Sequence, residues 1–247
     1  MIPASFLAGP IAHRGLHGPN RPENSMAAFE AALALGVGIE LDLQPSADGV
    51  AMAFHDSVLD RLTGETGPVS ARNADDLSQI ALKETARTIP RLRDVLDLVA
   101  GRVPLLVEIK DQDGDMGPDI GRLETDLIDA LDGYGGDVAV MSFNPHSMIH
   151  MARHAPDLPR GLVTSAFDPR YWPELSAATR DRLRGMPDLA AADASFISHE
   201  AAALAMPEVA AAKAAGLSVL CWTVRSKAQE AEALKIADQV TFEGYLP

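Results

Sequence analysis

The sequence predicts a parallel α/β fold closed into a barrel, and three observations carry that expectation. Short β-rich runs alternate with Ala/Leu-rich helical runs along the whole chain, the order expected of parallel strands joined by helical crossovers. Eight such strand–helix units can be counted, which suits closure into a barrel. The length of 247 residues is also ordinary for one barrel domain. A doubly wound open sheet is the structural alternative. No G-x-G-x-x-G follows the first strand, which weakens a dinucleotide-binding version of it.

In chain order the strands are expected at 10–14 (PIAHR), 38–43 (GIELDL), 104–110 (PLLVEIK), 138–143 (VAVMSF), 160–164 (RGLVT), 194–199 (ASFISH), 217–224 (LSVLCWTV) and 239–243 (QVTFE). A ninth apolar run, VAMAFH at 50–55, reads as an extra strand or an extension of the second. Helix 25–36 has Ser25 to cap its first turn and Gly36 to stop it. Helix 90–101 opens on Pro90 and closes on Gly101. GRLETDLIDALDGYG, PHSMIHMARH, PEVAAAKAAG and SKAQEAEALKIA follow the same style. Residues 56–89 break the rhythm. They are polar and turn-rich, with TGETG at their centre, and read as a small excursion after the second strand. A structureless loop of that length is uncommon and often functional. The whole, 1–247, is expected to be one catalytic barrel domain carrying that insertion.

Composition excludes several classes. Hydrophobic residues make up 47%, enough for a sizeable core and against disorder. No apolar run reaches the length of a membrane span, and the N-terminus has no basic segment of a secretory signal. The single cysteine, Cys221, cannot form an internal disulfide, so a reducing, cytoplasmic location is expected. A net charge of −14 with no basic run argues against nucleic acid and anionic lipid surfaces as partners. An anionic small-molecule substrate would need a local cationic site, such as a metal ion.

The polar residues fall where barrel chemistry sits, at the C-terminal ends of strands. The first strand ends in His13-Arg14, the second carries Glu40 and Asp42, the extra strand ends in His55, and the third carries Glu108 and Lys110. A spacing of two places Glu40 with Asp42, and Glu108 with Lys110, on common strand faces. A lone strand carboxylate usually faces solvent or pairs with a basic side chain. Three converging in an apolar interior would be very costly unless compensated. A divalent cation is the natural compensation, and hard oxygen ligands select Mg²⁺ or Ca²⁺.

The spaced run HRG…PENS…AF…A…G…IELDLQ…DG…HD…L.R.TG.TG.V, followed by LLVEIK, MSF and CWTV, resembles the glycerophosphodiester phosphodiesterase family. The resemblance covers nearly the whole chain and is most specific over 11–69. It implies a TIM-type (β/α)8 barrel with a small inserted subdomain after the second strand. It implies metal-dependent hydrolysis that releases glycerol 3-phosphate and an alcohol, in lipid and glycerol metabolism. By motif, Glu40, Asp42 and Glu108 fall on the family's metal ligands and His13 and His55 on its acid/base histidines. Arg14 and Lys110 fall on phosphate-contacting positions, and Glu23 on a polar residue near them. Arg225 stands where the family commonly has Asn, and Glu243 near its usual Asp; both departures bear on the substrate pocket. The chain also ends at Pro247, without a full helix after the last strand.

Weaker candidates remain. Phe143 and Trp222 lie at strand ends and either wall the glycerol pocket or pack the core. His199 ends a strand and is a second-tier site residue. His17 reads as a turn residue, and His146, His150 and His154 as an exposed helix face. Cys221 reads as a small buried hydrophobe. Two alternatives stand beside the main reading. One is phospholipase D-like action on lysolipids within the same fold, which would need an apolar entry surface. The other is a non-catalytic barrel that binds a phosphorylated ligand.

Overall fold

A computed structural model describes all residues, 1–247. Nine strands are formed: β1 (Ile11–Ala12), β2 (Gly38–Pro45), β3 (Ala51–Ala53), β4 (Leu105–Ile109), β5 (Val138–Ser142), β6 (Arg160–Thr164), β7 (Phe196–Glu200), β8 (Ser218–Val224) and β9 (Gln239–Phe242). Their order in the sheet is β1-β9-β8-β7-β6-β5-β4-β2-β3, and β1 also pairs with β2. That pairing closes eight strands into the expected (β/α)8 barrel and leaves β3 as an antiparallel appendage on β2. The run at 50–55 is therefore a separate strand, with Ala53 opposite Leu43 and Ala51 opposite Pro45. The chain divides into two compact units, one of Ala12–Lys110 with Gly121–Val138 and the other of Met1–Ile11, Asp111–Ile120 and Ala139–Pro247.

In the first of these units, α1 (Met26–Leu35) begins where Ser25 accepts a hydrogen bond from the Ala28 N–H, and ends at Gly36 in the left-handed conformation. Both caps match the sequence expectation. Helix α3 (Leu92–Val99) buries Leu92, Val95, Leu96 and Val99, a spacing that puts all of them on one face. Helix α4 (Arg122–Leu131) buries Leu123, Leu127 and Ala130 on the same principle. Strands β2 and β4 are parallel, with Asp42 opposite Glu108 and Glu40 opposite Leu106. Ile39, Leu41 and Leu43 alternate with the two carboxylates and are fully buried. At roughly 1.5–3 kcal/mol for each such side chain, they pin the register and so hold both carboxylates on the opposite face.

The excursion at 56–89 is not a plain polar loop. Leu59, Val69, Leu77, Leu82 and Ile89 bury themselves with Met52 and Phe54 in a separate apolar cluster. The short helix α2 (Ala74–Leu77) and a bridge between Val58 and Pro68 shape it. Its apolar residues follow neither a helical nor a strand period, so the sequence shows no pattern for them.

In the other unit, β5 to β9 run parallel in sequence order. Between them lie α5 (Pro145–His154), α6 (Ala177–Arg184), α7 (Pro207–Ala214) and α8 (Lys227–Ala233). Helix α6 was not expected from the sequence. It buries only Leu183, so it has almost no apolar stripe to read, and its one local signal is the Ser176 cap accepting from the Thr179 N–H. No helix is long and apolar enough to cross a membrane.

Candidate active site

The sequence-predicted residues of the first unit come together. β1 is shorter than expected, because the chain turns away at His13 and Arg14 takes a positive φ of 54°. The turn lets the Arg14 N–H donate to Glu40 Oε2 (2.8 Å) and the Gly15 N–H to the Glu40 carbonyl (3.1 Å). Gly15 itself has φ 74°, and a Cβ there would lie 2.9 Å from Ala28. Only glycine fits that close approach.

Glu40, Asp42 and Glu108 each place a carboxylate oxygen within 4.8 Å of the others. Asp42 is 1% exposed, and the whole set is buried. Lys110 Nζ lies 2.7 Å from Asp42 Oδ1 and 2.6 Å from Glu108 Oε1. Arg14 donates through Nη1 to Glu23 Oε1 (2.6 Å), with its Nε 3.3 Å from Asp42 Oδ2. Burial, then the neighbouring Asp42 and Glu108, push the Glu40 carboxyl well above the usual carboxylate range. Burial pushes Asp42 the same way, but Lys110, His55, Arg14 and His13 outweigh it and hold Asp42 low. Burial also opposes the Lys110 charge, yet Asp42 and Glu108 keep that ammonium above its ordinary value.

Three neighbours were not singled out from the sequence. Asn24 donates from Nδ2 to Asp42 Oδ2 (2.8 Å) and accepts the Asp42 N–H on Oδ1 (3.2 Å), which fixes the strand and its carboxylate together. Asp56 meets His55 Nδ1 at 2.7 Å. Arg61 bridges Asp56 (2.6 and 2.9 Å) and Glu23 (2.7 and 3.0 Å). Asn24 and Asp56 sit inside the PENS and HD motifs, so a closer reading of those motifs could have found them. Arg61 is 38 residues from Glu23, and nothing local marks it. Burial works against the Asp56 charge, but hydrogen bonds from His55 and Arg61 hold its carboxyl well below the ordinary value. Burial works against the Glu23 charge as well, but Arg61 and Arg14 outweigh it and hold that carboxyl low too.

A charge tally tests whether a cation fits. Five carboxylates (Glu23, Glu40, Asp42, Asp56, Glu108) face three cations (Arg14, Arg61, Lys110) in this network. With all five carboxylates ionised, Glu40 included, and the histidines neutral, two negative charges are left over. Asp42 Oδ1, though close to Lys110, is buried with no hydrogen bond of acceptable geometry. An all-oxygen donor set with that surplus suits one hard divalent cation.

In the other unit, Phe143 packs edge-to-face on Trp222 (centroids 5.6 Å apart) and Trp172 (4.8 Å), and Phe167 stacks on Trp172 (5.2 Å). Trp222 donates from Nε1 to the Ser198 carbonyl (3.0 Å). The two departures from the family pattern answer one another, since Arg225 and Glu243 form an ion pair at 2.8 Å. His199 is fully buried, its Nδ1 2.7 Å from Thr164 Oγ1, and burial pushes its imidazole down to about 4. Burial pushes the Cys221 thiol up to about 12, which leaves it an inert buried side chain. On α5, His150 and His154 lie ring to ring at 4.3 Å, and no carboxylate ligand set forms there.

The chain matches the Glycerophosphoryl diester phosphodiesterase family over residues 13–242. A glycerophosphodiester phosphodiesterase of Caldanaerobacter subterraneus is 36% identical over 163 residues, which cover 62% of this chain and 65% of that protein. One of Bacillus altitudinis is 43% identical over 107 residues, 40% of this chain and 43% of that protein. The chain thus spans less than two thirds of the length of each of these relatives. A phosphodiesterase of Oleispira antarctica, solved in complex with the product sn-glycerol-3-phosphate, superposes with a TM-score of 0.77 at 25% identity, covering 96% of this chain and 94% of that one.

Proposed function

This chain belongs to the glycerophosphoryl diester phosphodiesterase family, and from that premise we propose that it hydrolyses glycerophosphodiesters to glycerol 3-phosphate and an alcohol. The observation that carries the reading is the convergence of Glu40, Asp42 and Glu108 beside Arg14 and Lys110. Glu40, Asp42 and Glu108 would hold one Mg²⁺ or Ca²⁺, which supplies Lewis-acid polarisation of a phosphate oxygen when bound.

The chain's own groups do the rest. The Arg14 guanidinium, oriented by Glu23, offers paired N–H donors to the phosphate. Lys110 adds a fixed ammonium where negative charge develops. His55 is held through Nδ1 by Asp56, which fixes the ring and leaves Nε2 to take up or deliver a proton. His13, whose charge also acts on Asp42, is the second proton-transfer group. One histidine serves as base and the other as acid. Phe143 and Trp222 are assigned to the glycerol and alcohol side of the substrate. The whole of 1–247 is read as one catalytic barrel, with 56–89 as an insertion at its mouth that carries Asp56 and Arg61. The supporting neighbour is the Oleispira antarctica enzyme solved with glycerol 3-phosphate. A cytoplasmic location fits the free, buried Cys221.

The test is a coupled assay for released glycerol 3-phosphate across a headgroup panel. Exhaustive chelation is expected to abolish turnover and Mg²⁺ or Ca²⁺ to restore it. Full activity at a metal content near zero would refute the metal assignment. Binding without turnover of any glycerophosphodiester would refute hydrolysis.

A further inference from the structure

Arg61 enters the site network from the excursion and is held by two carboxylates at once. Nε and Nη2 donate to Asp56 Oδ2 (2.6 Å) and Oδ1 (2.9 Å), while Nη2 and Nη1 donate to Glu23 Oε1 (2.7 Å) and Oε2 (3.0 Å). Two edges of one planar guanidinium thus each hold a carboxylate by two N–H groups. A lysine ammonium cannot reproduce that match. The Arg61 side chain is 47% exposed, and a lone exposed ion pair contributes little. Two-point contacts joined in a network are the exception.

Each of these carboxylates has a second partner. Glu23 Oε1 also accepts from Arg14 Nη1 at 2.6 Å, and Asp56 Oδ1 also meets His55 Nδ1 at 2.7 Å. The network therefore runs Arg14–Glu23–Arg61–Asp56–His55, from the phosphate-binding guanidinium to a proton-transferring imidazole. Two ionised carboxylates accept hydrogen bonds and cannot give one to each other. Without the cation between them Glu23 and Asp56 repel, and each is free to turn and take its partner with it. The backbone that presents Arg61 is fixed. Leu59 is fully buried and Leu62 packs against the same apolar cluster, and Lys83 Nζ donates to the Asp60 and Arg61 carbonyls, both at 2.8 Å. We infer that Arg61 is a positioning residue that ties Arg14 and His55 into one unit, and that presenting it is the excursion's part in the reaction. The inference rests on the phosphodiesterase reading for the roles of Arg14 and His55.

The test is a double-mutant cycle on the intact protein. It is read as kcat/KM for glycerophosphoglycerol in saturating Mg²⁺ or Ca²⁺, well below the Tm of each variant. Arg61→Lys keeps the charge and loses both two-point contacts, and is expected to lower kcat/KM about tenfold. Glu23→Gln and Asp56→Asn are expected to act as one unit. Their combined loss should be about tenfold smaller than the product of the two single losses. In an Arg61→Gln background the same two losses are expected to multiply. A merely structural Arg61 would lower stability without making the two losses depend on one another. Three results overturn the coupling: Arg61→Lys within about twofold of the parent, losses that multiply while Arg61 is present, or coupling that survives Arg61→Gln. Where Arg61→Gln does not fold, the first two still decide. A parent that turns over no glycerophosphodiester refutes the phosphodiesterase reading instead. The same cycle is then read in denaturant unfolding, where coupling between Glu23→Gln and Asp56→Asn keeps the link through Arg61 and additivity overturns it.

Discussion

Lys110 offers the sharpest test of how the candidate site is balanced. Its Nζ sits 2.7 Å from Asp42 Oδ1 and 2.6 Å from Glu108 Oε1, on a side chain 14% exposed. Lys110→Met keeps the aliphatic length and deletes the ammonium. Asp42 would keep Asn24 and the more distant Arg14 Nε, while Glu108 would lose its one ion-pair partner. Removing one member of a buried ion pair typically costs about 3–5 kcal/mol, because the other charge stays desolvated. For a chain of this size each kcal/mol moves Tm by about 2–4 °C, so the variant should melt roughly 6–20 °C below the parent in chelator. A divalent cation bound by the same carboxylates should then stabilise the variant more than the parent and narrow the gap. The assay is thermal unfolding by circular dichroism, in chelator and across a Mg²⁺ or Ca²⁺ titration. A Tm within 2 °C of the parent in chelator, as an order-of-magnitude margin, would mean that Lys110 does not neutralise a buried cluster. A gap that saturating cation leaves untouched would mean that the carboxylates do not take the metal.

Three further outcomes are expected. Leu59→Ala in the excursion should destabilise the protein by about 2–5 kcal/mol in denaturant titrations, since Leu59 is fully buried in the separate apolar cluster; a loss under about 0.5 kcal/mol would show the excursion to be a plain surface loop. Of His13→Ala and His55→Ala, one and only one should recover most of its rate on a glycerophosphoryl nitrophenyl ester, because that leaving group barely needs a proton; equal losses on natural and activated substrates for both would reject a division into acid and base. Asp56 has a folded-state pKa below its ordinary 3.8, so its ion pairs stabilise the fold above that value and the stability is lost as pH falls through the lower one. Asp56→Asn should therefore flatten the decline in stability below about pH 4, and an acid-unfolding curve identical to the parent's would refute the linkage.

The strand period made much of the site legible in the sequence. Glu40 with Asp42, and Glu108 with Lys110, share faces because strand side chains alternate, and any reader can count by two. The helix caps at Ser25 and Gly36 were equally plain, since their chemistry is local. Helix α6 was hidden because a helix that buries only Leu183 shows no stripe. The tertiary structure decided the rest. Asp42 stands opposite Glu108 only through the β2–β4 register, set by buried Ile39, Leu41 and Leu43 rather than by the carboxylates themselves. Arg61 reaches Glu23 only because the excursion folds on its own apolar cluster, and Glu243 answers Arg225 only because β8 and β9 are neighbours. A chain declares its local periods residue by residue. Charges brought together from distant segments have no local signature, because the apolar packing that carries them into place is a property of the closed barrel.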